Sequence, residues 1–487
     1  MAVHTRHPAG ALPAPPARES SRHLLLRGYA IFVIFGAMAT TFWFNLLGIW
    51  GLAALLGTAT VLSAVLWWRI RPPFPWRRLP WAALAYVAWA LVSAIWSHWS
   101  GASLLTWWGL AATTLQALFL SSVLTWRELV RAMASALKWV MALSLAFELW
   151  VALVLQHPVL PNFLLWDGEI VKELYWSRGN LFLWDQRIQG IVGNAALLAV
   201  LALLAIVVFG LRMASHTVSP RRRWWLGAWI VLAAFLLWRS QSATVWLAVF
   251  AVGVVLAAAL LMRTVKRPGG RTKYYALFAV IGLAGAAAAW ALQGTILAFL
   301  GKSPDMTGRE GIWQAVTERA VQHPVIGWGF ATPWVPWVPE FDHWIVVNDL
   351  TVFHAHDMWL DVWFQLGAVG VVILAVAYLA FIWRAWFFGI DRPRFDLRAD
   401  RPYQSLTLLP TLVATILLVQ GLAESRPLME WGWMLFVMLA AKIKQSPLVG
   451  EGPSERSLAI ELGDHIDEPT QTESPIPTLP PRPASRS

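Results

Sequence analysis

Residues 189–211 read QGIVGNAALLAVLALLAIVVFGL, with no charged side chain anywhere in the run. A helix needs about 20 mostly apolar residues to cross a bilayer, so this stretch predicts a membrane-spanning helix. Working outward, the same rule finds runs near 24–44, 48–68, 80–97, 102–124 and 132–155 before it. After it come 224–239, 242–262, 274–298, 359–383, 405–422 and 427–443. The fold expected is an all-α polytopic membrane protein of about 12 transmembrane helices. Only Ser240 and Gln241 separate 224–239 from 242–262, which predicts a tight helical hairpin or one broken unit.

Composition agrees. Hydrophobic residues make up 58% of the chain and charged residues 13%, far below the roughly one quarter of a soluble domain. The net charge of +11 is not the signature of a nucleic-acid binder, because Lys and Arg fall in short clusters between the apolar runs. The absence of cysteine excludes disulfides, thiolate catalysis and Cys-ligated metals. Residues 1–23 have no apolar core and do not read as a cleaved signal, so the first span is expected to remain as an anchor.

Basic residues gather in alternate connections: Arg22 and Arg27; Arg69, Arg71, Arg77 and Arg78; Arg127 and Arg131; Arg221 to Arg223; Arg263 to Lys273; Arg392 to Arg401. The positive-inside rule makes these cytoplasmic together with both termini. The connections 156–188, 239–241, 300–357 and 423–427 are then expected outside. Two of these, 156–188 and 300–357, are too long to be turns. Both are rich in Trp, Phe and Pro (Phe163, Trp166, Trp176, Phe182, Trp184; Trp328, Trp334, Trp337, Trp344), which reads as an aromatic belt or the lining of a cleft. Residues 444–487 are Pro-, Ser- and Glu-rich and are expected to be a disordered cytoplasmic tail.

Polar residues on the outer face mark the candidate site. Thr307 and Glu310 have capping-box spacing at the start of a short amphipathic helix that carries Ile312, Trp313, Val316 and Ala320. Arg309 sits in its first turn, where the helix dipole disfavours a cation unless an anion docks there; a plain alternative is an Arg reaching lipid phosphate. His354, Ala355, His356 and Asp357 precede the tenth span, with Asp361 and Gln365 in its first turns. Two His and two Asp raise the possibility of a metal, but His354 and His356 are two apart and would diverge on a helix, so no metal is expected. A histidine with a reference pKa of about 6.5 can serve as a general base. Arg187 before the sixth span, Arg239 in the seventh-to-eighth hairpin, Glu148 in the fifth span, and Glu424 with Arg426 in the last outer turn share that face. Several Arg side chains and a helix N-terminus beside one His suit a site that holds a diphosphate and removes a proton.

Three segments in order resemble the O-antigen ligase and polymerase family of membrane glycosyltransferases: Thr307-Gly308-Arg309 with Trp313; His323-Pro324-Val325-Ile326-Gly327-Trp328-Gly329-Phe330; and His356-Asp357 with Leu360 and Gly367. The resemblance implies a GT-C-like bundle that transfers a glycan from undecaprenyl pyrophosphate to the hydroxyl of a glycan or lipid acceptor, without metal or cofactor, at the outer face of the cytoplasmic membrane. His356 would be the base, Arg309 a catalytic cation and Arg187 a pyrophosphate ligand, with Asp357, Trp313 and His354 around the substrate. Two departures stand out: Asp357 replaces the usual Asn, and the family's Ser-Arg appears as Ser242-Ala243, leaving Arg239 to supply the second phosphate contact. The alternatives are a transporter or flippase of lipid-linked sugars, which would line the mid-bilayer with charge, and a peptidoglycan-polymerase-like enzyme working through Asp305, Glu310 or Asp361.

Overall fold

A computed structural model describes residues 21–162, 170–215, 218–265, 268–291, 309–347, 350–391 and 403–449. Thirteen α-helices run through them: α1 Ser21–Met38, α2 Thr40–Ile70, α3 Trp81–Val92, α4 Ser100–Val123, α5 Trp126–Trp150, α6 Ala195–Ala214, α7 Pro220–Ser240, α8 Ala243–Thr264, α9 Thr272–Ala291, α10 Arg309–Ala320, α11 Met358–Trp386, α12 Leu409–Gly421 and α13 Glu430–Gln445. Each of the twelve expected runs carries one of them, and α10 is the short amphipathic helix of the long loop. Six segments are long and apolar enough to cross a membrane (Thr40–Ile70, Ser100–Val123, Trp126–Leu155, Ala195–Ala214, Ala243–Thr264 and Met358–Ile390), and three shorter apolar helices accompany them. The protein is an all-α polytopic membrane protein. Thr307, Asp305 and the tail beyond residue 449 lie outside the described residues, so the capping box and the expected disorder are not seen.

Local sequence explains where the helices begin. Thr125 accepts the Glu128 N–H while the Glu128 carboxylate accepts the Thr125 N–H, a capping box that starts α5. The Asn194 side chain caps α6 at Leu197, so that helix begins later than the apolar run that predicted it. The expected hairpin is real: Gln241 turns left-handed (φ 46°) between α7 and α8. Its first arm is a full 21 residues, because the helix starts at Pro220 and takes in the basic Arg221 to Arg223. The first boundary moved to Ala39, with a kink further on at Gly48 (φ 67°) inside α2.

The bundle core is continuous, with α6 packed along α7, α4 along α13, α1 along α5 and α11 along α3. Over one end of it sits a second, smaller core built by the long loop itself. Ile312, Val316 and Ala320 of α10 meet Trp334, Val338, Phe341 and Ile345, and the cluster closes on Trp99, Ala355 and Phe364. Trp334 and Phe341 stack at 5.8 Å. The loop aromatics were expected as a belt or a cleft lining, and many of them instead hold a folded lid together, because apolar rings in a long connection stabilise it only by burying each other.

Candidate functional site

The lid is locked to the bundle by backbone crossing backbone. Trp328 and Gly329 donate to the carbonyls of Phe364 and Gln365 at 3.0 and 2.9 Å, and Ala368 and Val369 donate to Pro324 and Val325 at 2.8 and 3.1 Å. This requires two glycines in left-handed conformation, Gly327 (φ 70°) and Gly367 (φ 65°). The second of them breaks α11 and opens its ladder to receive the lid. Two pieces of the sequence resemblance thus pack on each other.

Immediately before α11, Asp357 caps the helix, its Oδ1 accepting from the N–H groups of Trp359 and Leu360 at 2.8 Å each. Burial raises its pKa, and those two hydrogen bonds lower it. Asp and Asn are equivalent caps, so Asp357 can do the capping that an Asn would do, and the side chain expected against substrate works as a helix cap. Trp313 is likewise engaged: its indole N–H donates to the Ala355 carbonyl at 3.1 Å, tying α10 to the segment before His356.

His354 and His356 do not diverge, contrary to expectation. They precede the helix in irregular backbone, His356 holds φ at 51°, and the two rings lie 4.0 Å apart. A strained non-glycine residue at this point is typical of functional sites. His356 Nδ1 faces Glu424 Oε2 at 3.2 Å, and Arg309 reaches Oε1 of the same carboxylate at 3.2 Å. Burial opposes the charged form of Glu424, but the hydrogen bond from His356, with His356, His354 and Arg309 around it, holds its carboxyl down at about 2. An ionised carboxylate only accepts, so Nδ1 of His356 donates the ring proton to it. His354 is pushed down to about 3, first by burial and then by His356, so it is neutral. Its Nδ1 accepts the His356 N–H at 3.2 Å, which leaves its proton on Nε2, 3.9 Å from Glu424.

The three ligand atoms of His354, His356 and Glu424 lie within 4.8 Å of one another, close enough to suggest a metal. Reading the sequence led to no metal being expected, yet the ring nitrogens and carboxylate are of the type that bind a divalent ion, which would displace the proton between His356 and Glu424. The sequence placed Glu424 on the same face as His356 without pairing the two, which lie 68 residues apart along the chain.

Beside this cluster opens a cleft of about 910 Å³, bounded by Lys172, Arg178, Arg187, Arg309, Glu424 and the first residues of α6 and α8. Arg187 is exposed to it, with no hydrogen bond or ion pair for its guanidinium among the described residues. The N-termini of two long helices, at Ala195–Ala196 and Ala243–Thr244, face the same space and favour an anion. Arg239 does not, which corrects the expectation. It is 1% exposed, and its guanidinium donates to the carbonyls of Asn180, Leu181, Leu183, Trp184 and Gln186 at 2.6–3.3 Å. From below, Glu148 takes the N–H groups of Gln189 and Gly190 at 3.0 and 2.7 Å and the Ser177 hydroxyl at 2.9 Å. Arg239 and Glu148 therefore build the platform that presents Arg187. Where the family has Arg, this chain has Ala243, so the α8 N-terminus itself meets the cleft. Asp361 is fully buried and absent from the cleft lining, so it cannot act on a substrate there.

We expect Arg309→Ala to weaken binding of a lipid pyrophosphate by about tenfold or more, the loss of one charge-assisted contact. Equilibrium binding in vesicles measures this, and unchanged affinity would reassign Arg309 to its Glu424 bridge alone.

The fold and this site define an all-α membrane protein with a basic cleft and a carboxylate-held histidine under a folded loop. Residues 226–375 match the family model described as O-antigen ligase, which bears out the resemblance carried by the loop motifs. That stretch contains His356, Arg309 and Trp313 but neither Arg187 nor Glu424. The chain is also 29% identical over 201 residues to the exopolysaccharide production protein ExoQ of Rhizobium meliloti (strain 1021), a match covering 40% of this chain and 43% of that protein.

Proposed function

We propose that this protein is a metal-independent glycosyltransferase of polysaccharide biosynthesis that moves a glycan from undecaprenyl pyrophosphate to an acceptor hydroxyl at the outer face of the cytoplasmic membrane. The observation that carries this reading is the adjacency of two features: a cleft lined by unpaired cation and two helix N-termini, and a histidine whose proton is fixed on Nδ1 by Glu424. His356 Nε2 takes the proton of the acceptor hydroxyl as its oxygen forms the new bond to the anomeric carbon. The bond from that carbon to the diphosphate oxygen breaks, and the electron pair leaves with the diphosphate. Arg187, Arg309 and the helix N-termini stabilise its charge, while Glu424 stabilises the imidazolium. Inversion at the anomeric carbon follows from attack opposite the leaving group. The clusters of Lys and Arg in the alternate connections support the outward orientation of the cleft. Cationic groups gather at one end of the bundle, which favours this reading over a transporter lined along its length. The name of the exopolysaccharide relative favours a growing glycan as acceptor.

The test is transfer by the purified full chain in vesicles containing an undecaprenyl-pyrophosphate-linked oligosaccharide, with a chelator present. Lengthened lipid-linked glycan is the expected product. No transfer would overturn the reading, transfer only after a divalent ion is restored would overturn its metal independence, and glycan moved to a different lipid would make the enzyme a ligase.

A further inference from the structure

Gln189 lies two residues beyond Arg187 in the wall of the cleft and is only 5% exposed. Its amide oxygen is enclosed with no hydrogen-bond partner. The backbone that carries it is pinned. The Glu148 carboxylate accepts the N–H groups of Gln189 and Gly190 at 3.0 and 2.7 Å, and the Ser144 hydroxyl oxygen accepts the Ile191 N–H at 3.3 Å. Gly190 is left-handed (φ 60°), and a Cβ there would stand 2.6 Å from Ser144 Oγ, so the chain has no room to shift. A buried amide oxygen without a partner lowers stability, whereas an apolar side chain of similar size would not. A polar group held rigidly at such a loss is what a binding site requires of its ligands' partners.

The neighbours of Gln189 in the cleft, the Arg187 guanidinium and the start of α6 at Ala195 and Ala196, attract an anion. The Gln189 oxygen does not, since it accepts hydrogen bonds and the oxygens of a diphosphate only accept as well. What complements it is a hydrogen-bond donor set beside the diphosphate. In a lipid-linked glycan the nearest such group is the C2 substituent of the first sugar, a hydroxyl or an acetamido N–H on the carbon next to the anomeric one. A hydroxyl both donates and accepts, so it satisfies the amide in either orientation. We propose that Gln189 is a specificity-determining residue of the donor site, its amide taking a hydrogen bond from the C2 substituent of the sugar joined to the diphosphate. This rests on the cleft holding that diphosphate.

The test is equilibrium binding, beside transfer, by the full chain in vesicles. It compares an undecaprenyl-pyrophosphate-linked oligosaccharide with the same lipid whose first sugar has hydrogen in place of the C2 substituent. The parent is expected to hold the complete donor roughly 10–100-fold more tightly, because the analogue leaves the buried amide unpaired. Gln189→Leu should lose about that factor on the complete donor and separate the two lipids by less than about threefold. It should melt no lower than the parent, since it removes an unpartnered polar atom from the interior. A merely structural amide would lower the melt and leave the preference between the lipids in place. Equal binding of the two lipids by the parent overturns the inference. So does parental affinity for the complete donor in folded Gln189→Leu, the result if the amide meets only water. If the leucine variant does not fold, Gln189→Met keeps the unbranched shape and is judged by the same two affinities. A parent that prefers the complete donor but transfers nothing would strike down the proposed reaction and leave this inference standing, whereas transfer without preference would strike down only this inference.

Discussion

Replacing His356 by Ala is expected to abolish glycan transfer and leave the protein folded. The ring is partly exposed and makes one side-chain hydrogen bond, to Glu424, so its removal opens little core. Arg309 still pairs with the carboxylate, which is therefore not left as a bare buried charge. A general base contributes about 10²–10⁴-fold, and loss at the upper end puts turnover below detection. The measurement is turnover in vesicles beside size-exclusion and thermal profiles. Full activity in a folded His356→Ala protein would remove the residue from the mechanism. Glu424→Gln should fall between the two, since an amide can still accept from Nδ1 but no longer stabilises an imidazolium by charge.

The largest effect on stability is expected from Gly367→Ala. A Cβ there would stand 2.2 Å from the Val325 carbonyl carbon and oxygen, both backbone atoms that cannot swing aside. At φ 65° an alanine also bears about 1–2 kcal/mol of left-handed strain. Forced separation of the two strands of chain would break the Ala368–Pro324 and Val369–Val325 hydrogen bonds as well. Those losses, each about 1 kcal/mol, act together at a backbone crossing that joins lid to bundle. Thermal unfolding in detergent should show a fall in Tm of many degrees or no monodisperse protein. Gly327→Ala meets the Gln365 carbonyl oxygen at 2.3 Å and is expected to behave the same way. A normal melt for both would mean that the crossing is dispensable.

These two glycines show how far motif spacing reaches. Gly327 and Gly367 belong to separate motif segments, and nothing in their spacing says that each lies against the backbone of the other's segment. Trp334 and Trp344, whose rings meet at 4.8 Å, read as interface aromatics because hydropathy cannot distinguish a ring facing lipid from one facing another ring. Arg239 looked like a phosphate ligand because it shares a face and a charge with Arg187. Its five carbonyl acceptors are backbone atoms of a loop some 55 residues away, and backbone carbonyls leave no mark in a sequence.

What the chain determined by itself was periodic or local: the apolar runs and so the helices, the hairpin at Gln241, α10, and the presence of His356, Arg187 and Arg309 in the long connections of one face. Such features depend on lengths and side-chain types within a few turns, which is the range over which helix formation and membrane partition operate. The tertiary structure alone decided which groups are free and which are engaged. It brought Glu424 to His356 across 68 residues and so turned Nδ1 of that ring toward a carboxylate. It enclosed Arg239, left Arg187 open, and buried Asp361 against Trp334 and Gln365. The reason is that reactivity depends on the partner of each polar group, and in a helix bundle that partner usually arrives from another span.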